Sequence, residues 1–172
     1  MLLMAACACL PLAAHELPSA LNIEQPGLSL HSSADLRRFG FKIYTARLWT
    51  SGAGFSANAP YALDIEYALS VDAAQLVETS IAEMRGQGHR DEALLARWAQ
   101  DMAAVFPDVH RGDRLIALAR PGLEARFYSA QGYLASIRDA TFVDAFFGIW
   151  LADNTRAPQL RAALLAPRRE AP

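Results

Sequence analysis

The sequence predicts an α+β fold in which helices cover one face of an antiparallel sheet. Residues 61–69 alternate between apolar and polar side chains, which is typical of an antiparallel strand with one buried face. Residues 141–151 contain three Phe, one Ile, one Trp and one Leu, so a helix there must press against a large apolar surface such as a sheet. The chain alternates between blocks of strands and blocks of helices, which favours hairpins over parallel crossover units.

The remaining strands are predicted from alternation and from turn residues. They fall at residues 28–30, 40–49, 115–119, 123–128 and 133–137. In the strand at residues 40–49, Thr45 and Arg47 share one face, while Tyr44 and Ala46 share the other. The Pro121-Gly122 pair predicts the turn of a hairpin between two of the later strands.

The helix boundaries follow from capping residues. Helix starts are predicted at Ser70 or Asp72, at Asp91, at Thr141 and at Pro158. Thr141 followed by Asp144 resembles a capping box, in which both side chains accept hydrogen bonds from backbone N–H groups. The first of these helices is expected to end at residues 86–88 and the second at Pro107.

Composition limits the class of function. The chain has 172 residues, of which 53% are apolar and 20% are charged, so it is long enough for one domain with its own core. Its formal charge of −2 argues against nucleic acid as a partner. The four histidines are scattered without the spacing of metal ligands, and no motif indicates a cofactor. We therefore predict neither a metal site nor a cofactor.

The N-terminal segment predicts export. Residues 1–14 carry no charge and end in small residues, as expected of a signal peptide, and they are too few to span a bilayer as a helix. The prediction is thus a periplasmic or secreted protein without an integral membrane span. A buried N-terminal helix and a lipoprotein anchored at Cys7 are the alternatives. The domain is expected at residues 28–165, with a frayed tail at residues 166–172.

Several stretches carry a resemblance to a known family. They are residues 36–49, 112–115, 121–122, 142–151 and 160–165. In order and spacing they resemble the bacterial chalcone isomerase-like family, over most of the chain from about residue 28 to residue 165. Residues 32–35 and Ala152 depart from the glycines usual there. The resemblance implies an open-faced β-sandwich, a broad antiparallel sheet with a layer of helices on one side.

The resemblance also implies candidate site residues. Plant enzymes of this superfamily add a phenolate to an enone, which needs a cation near the phenolate and donors for the enolate oxygen. By position the family's arginine matches Arg37, with Arg38 as the adjacent alternative, and the strand threonine matches Thr45. The plant trio of tyrosine, lysine and asparagine has no match in residues 76–84. The sequence therefore leans away from an enzyme. If it is one, an intramolecular lyase or isomerase is expected.

Three functions remain open. The first is a non-catalytic exported domain that binds a small apolar or fatty-acid-like ligand between the sheet and the helix after residue 71, with Arg37 pairing a carboxylate. Ser80, in the apolar stripe of that helix, is a candidate ligand contact, although its hydroxyl can equally bond to the preceding helical turn. The second is an isomerase acting on an enone, and the third is a structural or partner-binding periplasmic protein. An open cavity of several hundred Å³ would favour the first over the third.

Overall fold

The computed structural model describes residues 16–166. The predicted signal peptide and the tail after residue 166 lie outside these residues. The helices are α1 (Ser19–Glu24), α2 (Ala73–Gly86), α3 (Glu92–Ala103), α4 (Ala140–Leu151) and α5 (Pro158–Leu165). The strands are β1 (Ser29–Arg38), β2 (Phe41–Thr50), β3 (Tyr61–Tyr67), β4 (Arg114–Arg120), β5 (Glu124–Ser129) and β6 (Gly132–Ile137).

The six strands form one antiparallel sheet in the order β1-β2-β3-β4-β5-β6, so each strand pairs with its neighbour in the chain. Helices α2 and α3 lie in the long connection between β3 and β4, and α4 and α5 follow β6. These four helices pack on one face of the sheet and enclose the main core with residues such as Leu63, Ala117, Trp98, Phe127 and Phe142. The predicted α+β class, with a helical layer on one side of an antiparallel sheet, is confirmed.

Strand β1 corrects the sequence prediction. A short strand was expected at residues 28–30, but β1 has ten residues and includes the arginine pair at its end. Its central residues are mostly small and polar, so they lack the alternation that predicts a strand. Pairing with β2 along its whole length holds it in the sheet as an edge strand.

Three helix starts agree with the prediction, including that of α5 at Pro158, and the cap of the fourth helix does not. The carboxylates of Asp72 and Asp91 accept the N–H groups of Gln75 and Leu94, at 2.7 and 3.0 Å. Helix α4, in contrast, is capped by Asp139, whose Oδ1 accepts the N–H of Thr141 itself at 2.9 Å. The predicted capping box at Thr141 is therefore wrong. A tertiary contact selects Asp139, because its Oδ2 also accepts the indole N–H of Trp98 at 3.0 Å.

Replacing Asp139 by Ala is expected to lower the free energy of unfolding by about 2–4 kcal/mol. Loss of a cap costs about 0.5–2 kcal/mol, and the buried Trp98 N–H left without an acceptor adds about 1–3 kcal/mol. Urea denaturation followed by circular dichroism measures the change. Asp91→Ala is the control, because it removes a cap and no buried partner; equal losses in the two variants would contradict this role of Asp139.

The decrease in the free energy of unfolding at acidic pH is expected to depend on the carboxyl group of Asp139. Burial tends to raise the pKa of Asp139, but hydrogen bonds from Trp98, from the backbone of α4 and from Arg97 outweigh it and leave the pKa below its usual value. The ionised form is thus favoured in the folded state, so its contribution is complete at neutral pH and is lost as the pH falls through that lowered pKa.

The second face of the sheet is also covered, which the alternation in β3 did not predict. Helix α1 packs there through Leu21, against a small cluster that includes Trp49 and Tyr128. Beside it Asp64, predicted to face solvent, is completely buried. Its two oxygens accept hydrogen bonds from Arg114, Nε to Oδ1 at 3.0 Å and Nη2 to Oδ2 at 2.6 Å. The carboxylate of Asp64 is therefore buried in an ion pair and not solvated.

Candidate functional site

A cavity of about 410 Å³ lies between the sheet and the helical layer. Its walls are mainly apolar and come from β1 to β4, α2, α4 and the segment after α4. Side chains that shape it include Leu36, Ile65, Leu76, Phe146 and Ile149. The volume falls within the range of about 300–1,000 Å³ that is usual for small-molecule sites. Thus the space between the sheet and α2 is not filled by the protein's own side chains.

The register of the first hairpin decides which arginine reaches this cavity. Leu36 pairs with Tyr44 and the next pair is Arg37 with Lys42, so Ile43 is an extra residue, a β-bulge in β2. Because successive side chains of a strand point to opposite faces, Arg37 and Arg38 diverge. Arg38 lines the cavity together with Ile43 and Tyr44, whereas Arg37 lies on the other face.

Arg37 and Thr45 meet at a carboxylate on that other face. The Thr45 hydroxyl donates to Asp35 Oδ1 at 2.8 Å, and Arg37 Nη2 lies 3.3 Å from Asp35 Oδ2. Lys42 Nζ lies 3.1 Å from Asp35 Oδ1. The hydrogen bond from Thr45, aided by the two cations, keeps the pKa of Asp35 below its usual value despite some burial. These contacts are local to the surface of the sheet, and neither Arg37 nor Thr45 lines the cavity.

Ser80 does line the cavity, from α2. Its hydroxyl donates to the carbonyl oxygen of Leu76 at 2.9 Å, one turn earlier in the helix. The two interpretations of Ser80 are thus compatible, because its side chain faces the cavity while its hydroxyl proton bonds within the helix. Its contact with a ligand stays a prediction.

Tyr44 is a functional candidate that sequence reasoning missed. Its phenolic oxygen accepts the indole N–H of Trp150 at 2.9 Å, which ties β2 to α4 across the cavity. Burial raises the pKa of Tyr44 to about 12, with the Trp150 hydrogen bond and the charge of Arg38 acting in the opposite direction. The phenol therefore stays protonated at neutral pH and keeps one proton to donate. The available signal was its place on the same strand face as Ala46, opposite Thr45.

The opening of the cavity carries an arginine without a carboxylate partner. The solvent-exposed residues among those lining the cavity are Arg38, Gln75, Thr79 and Arg156, so the opening lies between the first hairpin, α2 and the loop after α4. Arg156 Nη1 lies 3.6 Å from Glu83 Oε1. Arg38 makes no ion pair with any carboxylate in residues 16–166. Arg38 and Tyr44 both line the cavity, and a guanidinium and a hydroxyl are groups that can bind an anion.

The match to known families agrees with this arrangement. The family model described as chalcone isomerase-like matches residues 11–166. The chain belongs to the chalcone isomerase-like family. An uncharacterized protein of Haemophilus influenzae is 30% identical over 126 residues, which are 73% of this chain and 61% of that protein. The chain therefore spans less than two thirds of the length of this relative.

A solved structure supports the fold of this chalcone isomerase-like chain. The crystal structure of a fatty-acid binding protein from Arabidopsis thaliana superposes with a TM-score of 0.57, covering 81% of this chain and 84% of that one. The two sequences are only 9% identical, so the likeness concerns the fold.

The chemical groups at the cavity of this family member are few. The residues of α2 that line it are Gln75, Leu76, Thr79, Ser80 and Glu83, which do not include the tyrosine, lysine and asparagine of the plant enzymes. Within residues 16–166, no cluster of His, Cys, Asp and Glu side chains has the arrangement of a metal site. In the same residues, no helix combines the length and apolar character needed to cross a membrane. The groups present suit binding of an anion with an apolar body.

Proposed function

We propose that this chain binds a fatty acid, or a similar carboxylate with one apolar chain, in the cavity between the sheet and α2, without chemical conversion. The observation that carries the proposal is a mainly apolar cavity of about 410 Å³ with Arg38 at its opening, an arginine that has no carboxylate partner in the part of the chain that the structure describes. Apolar walls favour the hydrocarbon chain, and a guanidinium beside a hydroxyl favours the carboxylate. The fatty-acid binding protein of the same fold supports the choice of ligand.

The ligand is expected to lie with its carboxylate between Arg38 and Tyr44. The hydrocarbon chain then extends inward past Leu76 toward Phe146, residues that line the cavity. Since the cationic group is at the open side, the carboxylate keeps contact with water and only the chain is fully desolvated. With the uncharged segment of residues 1–14 as a signal peptide, we further propose that the protein binds its ligand outside the cytoplasm.

The test uses the neighbouring arginines as a matched pair. After removal of bound lipid, cis-parinaric acid is titrated into the wild-type protein and the variants Arg38→Gln and Arg37→Gln. We expect Arg38→Gln to weaken binding about tenfold, near 1.4 kcal/mol, because a charged hydrogen bond at a solvent-exposed opening is lost. Arg37→Gln is expected to bind as the wild type, because its side chain lies on the other face of the sheet.

A second experiment distinguishes the contribution of the ligand's carboxylate from that of its hydrocarbon chain. The methyl ester of the same acid is expected to bind the wild type and Arg38→Gln equally, since it has no charge to pair. Native mass spectrometry and lipid extraction of the freshly purified protein should show a bound carboxylate. Equal weakening by both arginine variants, or no binding of any fatty acid by the lipid-free protein, would refute the proposal.

An isomerase acting on an enone is the second candidate. The observation in its favour is the pair formed by the protonated Tyr44 and Arg38, a donor and a cation that can stabilise a developing enolate oxygen. Loss of the absorbance of a conjugated enone, faster with the wild type than with Tyr44→Phe, would support it. A structural protein with a filled interior is disfavoured by the cavity itself.

A further inference from the structure

Two aromatic side chains project from the turn between β1 and β2. Phe39 is 97% exposed and Phe41 is 75% exposed, the first in the two-residue turn and the second at the start of β2. Single exposed apolar residues are common in soluble proteins, but here two phenylalanines lie two positions apart at the turn of one hairpin. We call residues 37–42 the hairpin tip.

The backbone conformation at the hairpin tip is unfavourable for a phenylalanine. Phe39 has φ of 51° and Gly40 has φ of 83°, as in the type I′ turns that join antiparallel strands. Within residues 16–166, Phe39 is the only residue other than glycine with a positive φ. Asparagine is the preferred residue there, and most other L-residues are strained in this conformation. A strained residue that gains nothing from packing indicates a role outside the folded core.

The charged side chains near Phe39 and Phe41 are mostly positive. The hairpin tip contains Arg37, Arg38 and Lys42, and within the described residues 16–166 the only carboxylate paired with them is that of Asp35. The tip therefore carries an excess of positive charge, held on long side chains that flank the two rings. Exposed aromatic rings flanked by arginine and lysine match the interface of a bilayer with anionic headgroups, where rings enter the acyl boundary and cations contact phosphates.

We propose that the hairpin tip docks on an anionic phospholipid surface, with Phe39 and Phe41 inserted among the lipids and the flanking cations on the headgroups. This docking depends on the tip alone and goes beyond the function proposed above. It has one geometric consequence, because Arg38 belongs both to the tip and to the opening of the cavity. A docked tip places that opening at the lipid surface.

Vesicle sedimentation tests the proposal with the full chain. Sucrose-loaded vesicles are made of phosphatidylcholine alone, or of equal parts of phosphatidylcholine and phosphatidylglycerol. We expect the wild type to partition onto the anionic vesicles at least about tenfold more strongly, and this preference to fall as salt is raised. Since every variant carries the same N-terminal segment, differences between variants report on the substituted positions alone.

The decisive variant is the double substitution Phe39→Asn with Phe41→Thr. Asparagine suits the positive φ and threonine suits a strand, so urea denaturation should show stability equal to or above that of the wild type. Partitioning should fall at least about tenfold, while binding of cis-parinaric acid in solution stays unchanged. Ile23→Gln is the matched control, because Ile23 is another exposed apolar residue, on α1, and its loss should leave partitioning unchanged.

Three outcomes would overturn the proposal. The wild type could partition equally onto neutral and anionic vesicles, or the double variant could partition as the wild type does. Alternatively, sedimentation equilibrium could show a dimer that the double variant abolishes, without vesicle binding by either protein. In that case the hairpin tip is a contact between two copies of the chain. Failure of fatty-acid binding leaves the vesicle result unaffected, so the two proposals stand or fall separately.

Discussion

Replacing Asp64 by Ala is expected to lower the free energy of unfolding by about 3–5 kcal/mol. The carboxylate has no solvent exposure, and the side chains of Arg47 and Arg114 around it are only 8% and 13% exposed. Arg114 makes two hydrogen bonds to it, and Arg47 Nη1 lies 3.7 Å from its Oδ2. Removing the anion leaves Arg114 with only the carbonyl oxygen of Glu16, and Arg47 with Glu66, among the acceptors in residues 16–166. Two largely buried cations then lack their central anion, which costs more than the ion pair contributed.

Urea denaturation of Asp64→Ala measures this loss, and Asp153→Ala provides the comparison. Asp153 pairs with Arg161, but its side chain is almost fully exposed, so a change of at most about 1 kcal/mol is expected. Asp64→Asn retains an oxygen acceptor and should fall between the two. If Asp64→Ala were no less stable than Asp153→Ala, the buried ion pair would not support the second face of the sheet.

The second large effect concerns the size of the cavity. Ser80→Phe places a ring in the space that the hydrocarbon chain is proposed to fill. Displacing about three or four methylene groups, at about 0.8 kcal/mol each, should weaken binding of a long-chain fatty acid roughly a hundredfold. Competition of palmitic acid against cis-parinaric acid measures it. Shorter fatty acids should lose much less affinity, because they do not need the filled part.

The control for this variant lies on the same helix. Ala82 is exposed and does not line the cavity, so Ala82→Phe adds the same ring on the solvent side of α2. We expect it to bind both acids as the wild type does. Equal losses for long and short acids in Ser80→Phe would mean that the ring disturbs α2 and does not fill the ligand's space. The serine hydroxyl bonds only within the helix, so its removal alone should cost little.

Local chemistry predicted most of the helices and strands of this chain, and it missed α1 and most of β1. Asp91, and Asp72 as one of two alternatives, were identified as caps because an N-cap acts on backbone groups within three residues. Asp139 was missed because two polar residues compete for the start of α4, and its distant partners, Trp98 and Arg97, decide between them. Most of strand β1 was missed for a similar reason, because its pairing with β2, and not the pattern of its own side chains, makes it a strand.

Local sequence patterns predicted the candidate site less well than the secondary structure. The sequence and the family resemblance located the arginine pair, but the choice between Arg37 and Arg38 depends on which face of the sheet each one reaches. Leu36 pairs with Tyr44 on the cavity face, and alternation along β1 then turns Arg38 to that face and Arg37 away from it. The bulge at Ile43 shifts the facing of β2 residues by one position, and no local pattern announces it. The role of Tyr44 as a donor is likewise evident only from the structure, in which the indole N–H of Trp150 donates to the phenolic oxygen.

The neighbour-to-neighbour strand order also bears on how the protein folds. Five pairings join strands that are consecutive in the chain, and four of them close over short connections. The exception joins β3 to β4 around α2 and α3, and closing this longer segment costs the most conformational entropy. From the relation between topology and rate, we expect this closure to be the slow one. Since α2 forms one wall of the cavity, the step expected to limit folding is also the step that encloses the cavity.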